Sequence, residues 1–233
     1  MTENELTQKR TIRSFVLRQG RLTKAQQRAL DTLFPKYGLK VTQQLIDWSR
    51  VFGREAPLIL EIGFGMGQSL VEQAKATPEV NFIGVEVHRP GIGSTLAAID
   101  KLQLNNLRVV EGDALEVLKF MIPEHSLTRV QLFFPDPWPK KRHHKRRIVN
   151  AAFADLVASR LKPNGHLHMA TDWTPYAEHM LEVMEAHPDY ENIAGPGNYT
   201  PRPDYRPLTK FEQRGERLGH QVHDLIYCRK PSR

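Results

Sequence analysis

The sequence has a single cysteine, no long apolar run and only 8% aromatic residues among its 233 residues. One thiol, Cys228, excludes an intramolecular disulfide and a cysteine-rich zinc site. The apolar runs are far shorter than the roughly 18 residues that a membrane-spanning helix needs. The first residues, Met1–Glu5, are polar and acidic, unlike a secretory signal peptide. These absences predict a soluble protein in a reducing compartment, and we expect a cytoplasmic location.

Positive charge is concentrated in two segments of a chain whose formal net charge is +7. Residues 140–147 contain six lysines and arginines and no acid, and residues 1–28 have a net charge of +5, so the remaining chain is slightly acidic. Either segment alone could be a solvated loop, but phosphates attract such clusters. The pattern predicts contact with nucleic acid. We expect 1–28 to be a flexible arm and 29–233 to be one folded domain.

Short apolar strands alternate with helices from residue 58 onward. Strands are predicted at 58–62, 80–87, 107–111, 129–134 and 166–171, with a last strand at 222–228 after a loop rich in proline and glycine. The helices predicted between them include 94–104 and 148–161. This alternation predicts an α/β fold with a mostly parallel sheet, helices on both faces and a final antiparallel strand. Nearer the amino terminus, Thr23 and Gln26 predict a helix start, and Pro35 predicts its end.

The first predicted strand of this unit leads into Gly63-Phe64-Gly65-Met66-Gly67, where glycines permit a tight turn and close approach of a ligand. The nicotinamide-binding pattern fails, because Gln68 stands where a third glycine or alanine is required. Glu86 ends the second strand, where a carboxylate can accept both ribose hydroxyls of an adenosine. Asp113 follows the third strand and could bond an adenine amino group. Each acid alone is equally typical of a helix N-cap or a loop charge.

The fourth strand leads into Phe134-Pro135-Asp136-Pro137-Trp138-Pro139, and the basic run follows at once. Three prolines in five residues exclude a helix and predict a rigid turn. Because ligands of parallel sheets bind at the carboxyl ends of the strands, this turn would place Asp136 beside a bound ligand. The plainer interpretation is a stiff loop with a packed tryptophan.

The segment Glu61–Gly67, together with Glu86 and Asp113, resembles the first motif and the adenosine contacts of class I S-adenosylmethionine-dependent methyltransferases. That resemblance covers residues 56–228 and implies a Rossmann-like fold. Four segments resemble a narrower family, the bacterial single-chain tRNA (guanine-N7)-methyltransferases. They are GVEVHRPG at 84–91, FPDPWPKKRH at 134–143, TD at 171–172 and TKFEQRG at 209–215. None of them departs from the family pattern.

The resemblance implies transfer of a methyl group from S-adenosyl-L-methionine to N7 of a guanosine in the tRNA variable loop, leaving S-adenosyl-L-homocysteine. It implies that Asp136 is the catalytic residue. The expected cofactor-binding residues are Glu61, Gly63, Gly65, Gly67, Glu86, Asp113, Ala114 and Asp136. The expected nucleotide-binding residues are Lys140, Asp172, Thr209, Lys210, Phe211 and Glu212. Within the basic run, RNA contacts are expected from Arg142, His143, His144, Lys145, Arg146 and Arg147.

The chemistry of guanine agrees with these residue types. N7 carries a free lone pair and no proton, so positioning can supply most of the catalysis. As the base becomes cationic, a carboxylate can stabilise the charge or accept hydrogen bonds from N1–H and the amino group. Asp136 and Asp172 follow neighbouring strands in this interpretation, and which acid performs which task stays open.

Three alternatives remain at this stage. The first is a methyltransferase that acts on another RNA base or on a protein, the second is a nicotinamide-dependent oxidoreductase, and the third is a non-catalytic RNA-binding module. The Pro-Asp-Pro-Trp segment argues against the first alternative. The missing third glycine argues against the second, and the intact acids argue against the third. His166 and His168 alternate on one strand without an evident third ligand, so no metal is expected. The sequence does not determine the oligomeric state, and a monomer is the expectation.

Overall fold

The computed structural model describes residues 14–15, 20–208, 212 and 221–231. Within these residues eight strands form one sheet. The strands are β1 Gly38–Lys40, β2 Leu58–Ile62, β3 Asn81–Glu86, β4 Leu107–Glu111, β5 Leu127–Phe133, β6 Leu161–Thr171, β7 Tyr190–Asn192 and β8 His223–Arg229. The α-helices are α1 Lys24–Tyr37, α2 Trp48–Phe52, α3 Gln68–Ala76, α4 Arg89–Leu102, α5 Ala114–Phe120, α6 Ala151–Arg160 and α7 Thr174–Glu185, and a 3₁₀ helix spans Lys141–Arg146.

The strand order is β1-β4-β3-β2-β5-β6-β8-β7. Strand β2 pairs in parallel with both β3 and β5, so the chain changes its direction of travel across the sheet at this strand. The predicted antiparallel final strand is confirmed, because β8 runs antiparallel to β6. It lies inside the sheet rather than at its edge, since the short strand β7 pairs with its other side. The predicted fold class is therefore confirmed.

Both faces of the sheet are covered, which explains why the central strands consist mostly of apolar residues. Every residue of β2 and of β3 is buried. Leu60 and Val130 pack into a core with α5, α6 and α7, whereas Ile59 and Phe82 pack into a second core with α1, α3 and α4. Strands buried on two faces need continuous apolar sequence rather than alternation.

The first helix differs from its prediction at its carboxyl end. Its capping box is present, since Gln26 N–H donates to Thr23 Oγ1 at 3.2 Å and Thr23 N–H donates to Gln26 Oε1 at 2.9 Å. The predicted end before Pro35 is wrong, because the helix continues through Pro35 to Tyr37. A proline in the last turn removes one backbone hydrogen bond. The packing of α1 against α4 stabilises the helix and offsets that loss. The expected boundary at residue 28 falls inside this helix.

Helices α4 and α6 also begin at residues other than those predicted. Helix α4 begins at Arg89 rather than Ser94, with Pro90 in its first turn, where a missing N–H costs no helical bond. Helix α6 begins at Ala151 rather than Ile148, and Asn150 caps it by accepting from Phe153 N–H at 3.0 Å. No helix in the described part of the chain combines the length and apolarity of a membrane span.

Candidate active site

A cavity of about 340 Å³ opens at the carboxyl ends of the parallel strands. Its wall comes from the loops after β2, β3, β4 and β5, which is the crevice where sheets of this kind bind their ligands. The cavity is lined by Glu86, Asp113 and Asp136, three acids predicted as site residues from separate segments of the sequence. The other lining residues are Ser14, Phe15, Ile62, Gly63, Val85, Val87, His88, Gly112, Ala114, Leu132, Phe133, Phe134, Pro135 and Ile148.

The loop after β2 requires its glycines for backbone reasons. Gly63, Gly65 and Gly67 have φ angles of +70°, +57° and +78°, in the left-handed region that glycine adopts without strain. A Cβ at Gly67 would also collide with the Thr95 hydroxyl, whereas a Cβ at Gly63 or Gly65 would meet open space. Of the three glycines, Gly63 lines the cavity, so the tight loop leaves room for a ligand there.

The Glu86 carboxylate is held by three backbone N–H groups. Its Oε2 accepts from Gly65 N–H at 2.8 Å, and its Oε1 accepts from Val87 N–H at 2.7 Å and His88 N–H at 3.0 Å. The side chain thus ties the glycine loop to the end of β3. A carboxylate has about four acceptor positions, so hydroxyls of a ligand can still bind to it.

Asp113 combines a structural role with its place in the cavity wall. Its Oδ1 accepts from Leu115 N–H at 2.9 Å and caps α5, as the plainer interpretation of this acid predicted. Ala114, the first residue of that helix, lines the cavity beside it. The cap fixes the orientation of the carboxylate.

Glu61 lies outside the cavity wall. It is 3% exposed and its Oε2 accepts from Gln73 Nε2 of α3 at 3.3 Å. Gln131 on β5 extends this buried chain by donating to Gln73 Oε1 at 2.8 Å. Burial raises the pKa of the Glu61 carboxyl group to about 8. The hydrogen bond from Gln73 lowers this pKa, but by less than burial raises it.

The two candidate acids for the guanine leave the sheet side by side. Strands β5 and β6 are parallel neighbours, and Phe134 N–H donates to Ala170 O at 2.8 Å just before their loops diverge. Asp136 is exposed at the cavity mouth, and Asp172 is half-buried after β6. Phe134 and Trp138 flank the Asp136 turn with φ angles of +52° and +46°, values uncommon for residues other than glycine.

Trp138 joins the turn to the basic run. The Arg146 guanidinium lies 4.3 Å from the centre of its ring, and the His143 ring meets it edge-on at 5.8 Å. Its indole Nε1–H donates to Ser14 O at 3.0 Å, which places Ser14 and Phe15 at the cavity. The amino-terminal contact could not be predicted, because Ser14 and Trp138 are far apart in sequence.

The basic run divides into exposed and buried side chains. Lys140, Lys141, Arg142 and Lys145 are exposed, and His144 is half-buried. Arg147 is only 4% exposed, with its guanidinium over the Tyr176 ring and its Nε–H donating to Pro137 O at 3.0 Å. This burial opposes the RNA contact that was expected of Arg147.

Comparisons with known proteins show the family of this chain. A family model described as "Putative methyltransferase" matches residues 55–225. The chain is 62% identical over 222 residues to the tRNA (guanine-N(7)-)-methyltransferase of Chromohalobacter salexigens, covering 94% of this chain and 90% of that protein. It is 56% identical over 233 residues to the enzyme of the same name from Aliivibrio salmonicida, covering 98% of each. The chain belongs to the tRNA (guanine-N7)-methyltransferase family.

Solved structures show the same fold at low sequence identity. The 16S rRNA methyltransferase KamB has a TM-score of 0.57 and 16% identity, and the match covers 81% of this chain and 96% of that chain. An rRNA methylase from Streptococcus thermophilus has a TM-score of 0.51 and 10% identity, covering 91% and 100%. Both are similar to this member of the tRNA (guanine-N7)-methyltransferase family in fold alone.

The family segment at 209–215 is described only at Glu212, so Thr209, Lys210 and Phe211 lie outside the described residues. Glu212 is 2% exposed and accepts a hydrogen bond from Arg206 Nη1. Arg206 could not be predicted from the sequence, because a single arginine in a loop rich in proline carries no local signal. His168, considered as a metal ligand, instead contacts Asp224. Among the described residues no group of three or more His, Cys, Asp or Glu side chains is arranged to hold a metal ion.

Proposed function

We propose that this chain transfers the methyl group of S-adenosyl-L-methionine to N7 of a guanosine in the variable loop of tRNA and releases S-adenosyl-L-homocysteine. The observation that carries this proposal is the cavity whose wall contains Glu86, Asp113 and Asp136, with a basic helix directly beyond Asp136. Relatives that match nearly the whole chain are named for this reaction.

The cavity fits the proposed cofactor. Its volume of about 340 Å³ lies within the range of pockets that hold small ligands. Glu86, fixed by three backbone N–H groups, would accept the ribose hydroxyls, and Asp113 would accept from the adenine amino group. When bound, the cofactor supplies a methyl group on a positively charged sulfur. Glu61, which the family pattern also assigns to the cofactor, is buried against Gln73 of α3 and would fix the end of β2 that leads into the glycine loop.

The chain's own contribution to the reaction is position and charge. The bond from N7 to the methyl carbon forms as the bond from sulfur to that carbon breaks, and no proton leaves N7 in the transfer. Holding N7 in line is therefore the main requirement. Asp136, at the cavity mouth, would stabilise the positive charge that spreads over guanine. Asp172, on the neighbouring loop, would accept from N1–H and the amino group, which adenine does not offer in this pattern.

The basic helix would hold the tRNA backbone next to this pocket. Lys140, Lys141, Arg142 and Lys145 are exposed and available to phosphates, and His143, His144 and Arg146 would add contacts near Trp138. Thr209, Lys210, Phe211 and Glu212 would bind the target nucleotide, as in the family pattern.

The basic segment before α1 would act as an RNA-binding arm on a single folded domain. Since residues of one chain line the cavity, a monomer would suffice, and a tRNA substrate would imply a cytoplasmic enzyme.

The test is to incubate the protein with unmodified tRNA transcripts and methyl-labelled S-adenosyl-L-methionine, then digest the RNA and identify the labelled nucleoside. We expect 7-methylguanosine from transcripts with a guanosine in the variable loop. A matched transcript with adenosine at that position should stay unlabelled. Absence of labelled 7-methylguanosine across a range of transcripts would refute the proposal.

A further inference from the structure

A buried polar cluster lies beside the cavity, and Glu212 is the one member of it that the function proposed above uses. At its centre Arg206, 1% exposed, donates from Nε and Nη2 to the two oxygens of Asp224 at 2.6 and 2.7 Å. Its Nη1 donates to Glu212. One guanidinium therefore connects β8 with the stretch that the family resemblance assigns to the target nucleotide. Bidentate pairs of this kind fix geometry as well as charge.

The cluster continues into β6 through His168. Asp224 Oδ1 also contacts His168 Nε2 at 2.7 Å, and the Tyr205 hydroxyl contacts His168 Nδ1 at 3.1 Å. Burial lowers the pKa of His168, so its neutral form donates from Nε2 and accepts from Tyr205 at Nδ1. Although burial opposes ionisation of Asp224, the bonds from His168 and Arg206 hold its pKa below the ordinary value. The cluster is thus satisfied and rigid.

The same guanidinium also touches the loop that carries Asp136. It lies 5.9 Å from the ring centre of Phe133 and 5.8 Å from that of Phe134. Both phenylalanines line the cavity, and Phe134 is the second residue before Asp136. Arg206 therefore contacts both halves of the expected guanosine site, the Glu212 side through an ion pair and the Asp136 side through aromatic rings.

We propose that Arg206 is a positioning residue for the target guanosine, because it holds Glu212 at a fixed place relative to Asp136. This inference rests on the proposed function and deepens it. The affinity for tRNA comes mostly from phosphate contacts elsewhere, so loss of Arg206 acts on the methyl-transfer step and only weakly on binding. A misplacement of about 1 Å can lower a rate about 100-fold.

The primary test compares Arg206→Lys with wild type. Lysine keeps the charge but cannot bridge Asp224 and Glu212 with a planar fork. We expect kcat to fall about 10- to 100-fold, while the KM for tRNA and the calorimetric Kd for the cofactor change less than about threefold. The matched control is Arg108→Lys, since Arg108 also packs on aromatic rings, 5.1 Å from that of Phe52, and contacts none of these groups. It should leave kcat unchanged.

Two further variants keep the test decisive. If Arg206→Lys does not fold, Asp224→Asn removes the charged partner of Arg206 and should give the same selective loss of kcat. In a Glu212→Gln background, Arg206→Lys should lower kcat less than about threefold further, because Arg206 acts through Glu212.

Three outcomes decide the inference. An unchanged kcat in Arg206→Lys, or losses that multiply fully in the double variant, would overturn it while leaving the proposed function intact. If the affinities of Arg206→Lys for the cofactor and for tRNA fell as much as its kcat, Arg206 would have a general structural role. That result would also overturn the inference. Failure of wild type to form 7-methylguanosine would remove the proposed function and this inference together.

Discussion

Replacement of Lys141, Arg142 and Lys145 by glutamine should flatten the salt dependence of tRNA binding. All three side chains are exposed on the 3₁₀ helix that follows the Asp136 turn. Each phosphate contact contributes about 0.7 to 0.9 to the slope of log K against log salt concentration, so three contacts contribute about 2.1 to 2.7. Between 50 and 200 mM salt, wild type should lose about 20- to 40-fold more affinity than the variant.

The choice of these three residues follows from their contacts. Arg146 packs on Trp138 and Arg147 is buried against Tyr176, so their replacement would disturb the turn itself. The matched control replaces three other exposed lysines, Lys75, Lys101 and Lys119, which lie in the last turns of α3, α4 and α5. Helices of a parallel sheet run opposite to its strands, so these ends face away from the cavity. Both triple variants change the net charge equally.

The assay is the fluorescence anisotropy of labelled, unmodified tRNA titrated at several salt concentrations, with circular dichroism to confirm folding. A variant slope equal to that of wild type would show that the three side chains do not contact phosphates. An equal reduction of the slope in the control variant would show that net charge acts at long range. It would refute a local contact between these three side chains and phosphates.

Three more predictions concern two acids of the cavity wall and the buried acid Glu61. Asp136→Ala should nearly abolish turnover while the Kd for tRNA changes less than about threefold, measured by single-turnover kinetics and by anisotropy. Glu86→Gln should weaken cofactor binding about 10- to 100-fold in calorimetry, because charge-assisted hydrogen bonds are lost. Glu61 has a pKa of about 8 when folded and about 4.5 when unfolded, so the folded state holds an extra proton between these values. Stability should fall by up to about 1.4 kcal/mol per pH unit as pH rises through that window, and Glu61→Gln should remove this dependence in thermal unfolding.

Each of these has an outcome that contradicts it. Loss of tRNA binding with normal chemistry in Asp136→Ala would make that residue an RNA contact. For Glu86, the control is Glu79→Gln at an exposed loop position, and equal effects of the two changes would remove the special role of the cavity carboxylate. For Glu61, an identical fall in Tm from pH 6 to pH 8 in wild type and variant would show that another group titrates.

The strands that position the site were predictable because burial on two faces leaves a strong pattern. The predicted bounds of β2 and β4 match the structure residue for residue. Strands β1 and β7 have three residues each and helix α2 has five, too few for any periodicity to show. The two short strands exist through tertiary pairing, β1 with β4 and β7 with β8, which a local pattern does not contain.

The cavity acids were predictable for a related reason, since parallel strands bring their carboxyl ends to one edge. Which side chains of the basic run are exposed could not be predicted, because the sequence does not show what type of helix the run forms. In a 3₁₀ helix, side chains three residues apart eclipse each other. His143 and Arg146 therefore share the face that packs on Trp138, and Arg142 and Lys145 share an exposed one. Trp138, in the turn of Asp136, thus determines which side chains of the basic run are fully exposed and which are half-buried against its ring.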